Sequence, residues 1–109
     1  MEKDLRRTSW NRIAVALRVP RTTGIFLLGK GPGRTPRDVV MVGSTRNLRD
    51  ALLSLLLRDE LRDLGIRTIH WVADLTIEQA RIAERFFTRR YDPPISPEER
   101  SRYHDILAG

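Results

Sequence analysis

Two stretches decide the reading of this chain: Thr23-Gly24-Ile25-Phe26-Leu27-Leu28, and Asp38-Val39-Val40-Met41-Val42 running on into Gly43-Ser44-Thr45-Arg46-Asn47-Leu48-Arg49. The first is short, apolar and rich in branched and aromatic residues, so it reads as a strand. The second opens with Val-rich residues 38–42, a second strand. Between them, Gly29-Lys30-Gly31-Pro32-Gly33-Arg34-Thr35-Pro36 is punctuated by Gly and Pro and reads as the tip of an antiparallel hairpin. The tip lacks the Lys-Ser/Thr and the following helix that a phosphate-cradling P-loop requires.

Downstream of the hairpin, Asn47 is placed to cap a helix, with Asp50 near its positive end. Leu48, Leu52, Leu55 and Leu56 share one face of that helix and belong in a core. Gly65 ends the segment that follows. Thr68-Ile69-His70-Trp71-Val72 alternates and reads as a third strand, with Ile69 and Trp71 on one face and Thr68, His70 and Val72 on the other. Thr76-Ile77-Glu78-Gln79 is a capping box that opens a second helix. Its expected buried face is Ala80, Ala83, Phe86 and Phe87. Arg81, Arg85 and Arg89 form a stripe opposite, read chiefly as a solvated surface. Asp92-Pro93-Pro94 breaks the helix, and Ser96-Pro97-Glu98-Glu99 opens a last one.

Upstream, residues 5–17 read as a helix capped by Ser9, with Ile13, Ala14 and Leu17 at helical spacing, ended by Pro20. The expected architecture is therefore α/β (α+β): a small three-stranded antiparallel sheet flanked by helices. Residues 1–109 form one domain with a core at 23–96. An N-terminal helical extension occupies 1–20 and a C-terminal helix 97–109.

Composition narrows the function classes. The 109 residues are 40% apolar and contain no cysteine, which excludes a disulfide framework and any Cys-built metal site. No apolar run approaches the ~18 residues of a membrane span. Residues 1–7 are charged and lead into no apolar stretch, so no signal peptide and a cytoplasmic location are expected. The net charge is +6 and the pI about 10.9. Lys3 and Lys30 are the only lysines, so the surplus is carried by arginine, which suits bidentate phosphate contacts.

Three pieces, taken in order, carry a resemblance. Thr23-Gly24-Ile25-Phe26 looks like the first half of the GIY-YIG nuclease signature. Met41 to Arg49 looks like its second half and continuation. Glu84, then Pro93 nine residues later and Ser96 after three more, is similar to the family's closing motif. The match spans 23–96. It implies the GIY-YIG fold, whose members use a Tyr to activate water, a helix Arg to stabilise phosphate charge and a Glu to hold a divalent metal.

By this resemblance the two signature tyrosines are replaced by Phe26 and Met41, and the helix arginine by Ala51. Glu84 alone is retained, as the candidate catalytic residue and metal ligand, and Ser96 replaces a terminal Asn. Loss of a general base costs roughly 10²–10⁴ in rate, and loss of a charge stabiliser roughly 10²–10³. The expectation is an inactive domain that binds nucleic acid, DNA ahead of RNA, through Lys30, Arg34, Arg46 and Arg49, with no cofactor. One alternative is a divergent endonuclease using Mg²⁺ on Glu84, with His70 as a replacement base. Another is a protein-interaction module that forms a homodimer through its terminal helices.

Overall fold

The computed structural model describes residues 4–31 and 36–108. Four strands form one antiparallel sheet: β1 (Arg6–Ser9), β2 (Gly24–Gly29), β3 (Val39–Thr45) and β4 (Thr68–Val72), in the order β1-β4-β2-β3. The helices are α1 (Arg12–Arg18), α2 (Leu48–Leu56), α3 (Asp59–Arg62), α4 (Ile77–Tyr91), α5 (Pro97–Arg100) and α6 (His104–Leu107), with a 3₁₀ turn at Ser101–Tyr103 between the last two. None of the helices among the described residues is long and apolar enough to cross a membrane.

The α+β class stands, but the sheet has four strands rather than three. The extra one, β1, lies in the segment expected to be helical. Arg6, Arg7, Thr8 and Ser9 pair with Trp71, His70, Ile69 and Thr68. Only Thr8 of the four is buried, so the strand shows little apolar patterning. Charged side chains suit such an edge position, because they discourage pairing with another chain. The helix starts later, with Asn11 capping the amide of Ala14 at 2.8 Å. Its inward residues are Val15 and Val19, while Ile13 and Leu17 are exposed.

β2 is buried at every position because both faces of the sheet are covered. On one side Phe26, Leu28, Val40, Met41, Ile69 and Trp71 pack with Leu48, Leu52 and Leu55 of α2 and with Val15 and Val19. On the other, Ile25, Leu27, Val39 and Val42 pack against Ala80, Ala83 and Phe87 of α4. The expected alternation of β4 holds, with Ile69 and Trp71 on the α2 side and Val72 on the α4 side. A shift in register between Leu28 and Gly29 leaves Val40 as an extra residue on β3, which lets Val40 and Met41 both serve the α2 side.

The caps expected for α2, α4 and α5 form. Asn47 accepts from the amide of Asp50 at 3.1 Å, and Thr76 and Gln79 make a reciprocal capping box. Ser96 accepts from the amide of Glu99 at 3.2 Å, with Pro97 opening α5. That C-terminal helix is only one turn long before the 3₁₀ break, so 97–108 is a chain of short turns and not one helix. Phe86 departs from the expected buried face of α4 and is 44% exposed. The helix is narrow where it meets the sheet, and Ala80, Ala83 and Phe87 fill that contact without it.

Candidate functional site

β3 runs further than the hairpin reading required, through Gly43 and Ser44 to Thr45. Strand alternation then turns Ser44 to the same side as Val42, toward α4. On α4, Glu84 sits one position beyond Ala83 and one turn beyond Ala80, at the margin of the buried stripe. The two small residues let the helix lie close to the strand. Ser44 Oγ donates to Glu84 Oε2 at 2.6 Å.

The other carboxylate oxygen is also engaged. Arg100 Nη2 lies 3.1 Å from Glu84 Oε1, with both side chains largely buried at 16% and 18% exposure. Arg100 Nη1 donates to the carbonyl of Val42 at 2.6 Å. The amide of Ile95 donates to the carbonyl of Val40 at 3.1 Å. Residues 95–100 thus satisfy two carbonyls along the outer edge of β3, the last strand of the sheet. An edge strand otherwise presents these groups for unwanted pairing.

Beside the Glu84–Arg100 pair opens a cleft of about 300 Å³. Ser44, Arg46, Arg81, Glu84, Arg100 and His104 line it, backed by Ile77 and Leu107. Arg100 balances the charge of Glu84. Arg46 and Arg81 are exposed, and neither is ion-paired among the described residues. The cleft therefore carries a net positive charge and offers guanidinium donors for an anion.

The residues singled out in the sequence are scattered. Arg46 lines the cleft. Lys30 lies at the opposite end of the hairpin, in a surface hollow with Arg37, Asp38 and Tyr91. That is about 20 Å away along β3 at ~3.3 Å per residue. Arg49 is committed to structure, its Nε donating to the carbonyl of Val19 at 2.7 Å. Arg34 lies outside the described residues. His70 is buried at 2% exposure, paired across the sheet with Leu27 and Arg7, and does not line the cleft. Phe26 and Met41 are fully buried on the α2 side, and Ala51 is 2% exposed. They are core positions on the face of the sheet away from Glu84.

A divalent metal does not fit this donor set. Both oxygens of Glu84 are taken by Ser44 and Arg100, and among the described residues no group of three His, Asp or Glu side chains is placed to hold a metal. Sequence reasoning missed Ser44, Arg100 and His104 as site residues and read Arg81 chiefly as solvated surface. Ser44 was readable had the strand been extended by two residues. Arg100 carried no signal, since its pairing spans the fold.

No protein-family model matches the chain, and no match is found among curated proteins or solved structures.

Proposed function

We propose that this chain is a GIY-YIG-like scaffold that binds the backbone of nucleic acid, DNA ahead of RNA, and does not cut it. The observation that carries the reading is a cleft in which the single carboxylate is neutralised while two exposed arginines beside it are not. A phosphate suits Arg46 and Arg81 by charge and by the planar fork of the guanidinium. The net charge of +6 adds a long-range attraction for the same partner. The non-catalytic half is supported by Phe26, Met41 and Ala51, the positions that the resemblance assigns to the lost hydroxyls and cation, which are buried, apolar and on the face of the sheet away from Glu84.

The test is fluorescence anisotropy with a labelled duplex over a salt series. Binding should weaken steeply with salt, and Arg46→Ala with Arg81→Ala should lower the slope of log K against log salt by about two. No binding at low ionic strength would overturn the reading. Mg²⁺-dependent nicking that disappears in Glu84→Gln would overturn its non-catalytic half.

A further inference from the structure

The outer face of α4 carries two adjacent stripes. Arg81, Arg85 and Arg89 form one, and Ile82 and Phe86, followed by Arg90, form the other. Ile82 and Phe86 are 56% and 44% exposed, and with Arg85, Arg89 and Arg90 they line a shallow surface groove. Of the three Phe, two Trp and two Tyr in the chain, Phe86 is the exposed one. Its ring has an aromatic contact beneath it. It meets the buried Phe87 edge-on at 5.1 Å and 82°, and Phe87 in turn stacks on Tyr91 at 6.2 Å.

A surface that leaves an aromatic ring in water, backs it with a second ring and surrounds it with arginines has few suitable partners. A second copy of this face would bring its own arginines against these, and like charges repel. Two apolar side chains are too few to enter a lipid surface, which needs an apolar face along the helix. A single nucleic-acid strand satisfies both features at once: its bases stack on a ring, and its phosphates pair with cations.

Building on the nucleic-acid reading above, we propose that α4 is a platform for single-stranded nucleic acid, with an unpaired base stacked on Phe86 and flanking phosphates held by Arg85 and Arg89. The stripe leads from Arg81 in the cleft to Arg89 over about 12 Å of helix. That is the reach of roughly three stacked nucleotides at 3.4 Å each. A duplex keeps its bases paired and cannot use the ring, so the platform separates single strands from duplexes.

The experiment compares a labelled single strand with a hairpin duplex of matched length, by anisotropy, for the wild type and for Phe86→Ala, Phe86→Leu and Phe86→Trp. Thermal melts check that each variant is folded, and Phe86→Leu keeps apolar packing on Phe87 while removing the π face. The Ala and Leu variants should bind the single strand about tenfold more weakly and the duplex within about twofold of wild type. Phe86→Trp should keep single-strand affinity, with its added emission quenched on binding. Unchanged single-strand affinity in the Leu variant would overturn the platform while leaving nucleic-acid binding intact. Displacement of the strand by poly-glutamate as effectively as by unlabelled oligonucleotide would also overturn the platform and would point to an acidic protein instead. Failure of wild type to bind either form at low salt would overturn both readings.

Discussion

Phe26 lies opposite Gly43 across the hairpin, and the tip of its ring fills the space where a side chain at Gly43 would begin. A Cβ there would stand 2.5 Å from the ring's Cζ. A hydroxyl on that carbon would have to enter the same closed contact. Phe26→Tyr should therefore destabilise the protein by about 1–3 kcal/mol, from crowding and a buried hydroxyl, read as a lower urea midpoint. A gain of stability would mean that the pocket admits the hydroxyl. Glu84 and Arg100 form the second residue-scale feature. Removing one member of a largely buried pair strands the other, so Arg100→Ala should cost about 2–4 kcal/mol. The double variant with Glu84→Ala should cost clearly less than the two single losses added, and a double-mutant cycle measures that coupling. Additivity would show that the contact contributes little.

At the scale of elements, α4 links the core, the cleft and the outer surface. It packs one face on the sheet, presents Glu84 and Arg81 to the cleft, and carries Phe86 outward. Its start was legible because a capping box is local: Thr76 and Gln79 are three residues apart and satisfy each other's amides. Thr76→Ala should lower stability by about 1 kcal/mol, checked by urea unfolding, with no change in fold by circular dichroism. β1 was not legible for the opposite reason. Its hydrogen-bond partners lie on β4, some sixty residues away, and its own four residues, Arg-Arg-Thr-Ser, offer no apolar side chain to pattern. The amide of Trp10 continues that pairing to the carbonyl of Arg67 at 2.9 Å, so the cap of α1 is Asn11 and not Ser9.

Over the whole molecule, the C-terminal segment closes the structure at two points. Arg100 reaches Glu84 and β3. Tyr103 is buried on the α2 side, its hydroxyl 3.3 Å from Glu60 Oε1 and its ring under the Arg58 guanidinium at 5.4 Å. Tyr103→Ala should cost about 3 kcal/mol, as expected for a large buried ring, and a thermal melt checks it. Burial, and after it the charge of Glu60, holds the Tyr103 phenol above its ordinary value of 10.0. A folded-state value raised in this way favours the native state while the phenol is protonated. The stability it contributes is present below pH 10 and is lost as pH climbs past it. Spectroscopic titration should find a late phenol ionisation that Tyr103→Phe removes.

The sequence by itself determined the elements whose causes are local. The β2–β3 hairpin follows from two apolar runs around a Gly/Pro tip. The caps at Asn47, Thr76 and Ser96 follow from side chains that satisfy amides within three residues. The two faces of β4 follow from a period of two. What only the tertiary structure decided is everything that needs distant partners. The basic residues expected to act together were divided, Arg46 to the cleft, Arg49 to a loop carbonyl and Lys30 to the far end of the hairpin, because sheet topology and not spacing places them. Glu84 was legible as a candidate, but its partner was not. Arg100 lies fifty-eight residues from the Val42 carbonyl it binds, and only the folding of 95–100 along the open edge of β3 brings it there. That edge had unpaired carbonyls to satisfy, and covering it turned a lone carboxylate into half of an ion pair beside a positive cleft.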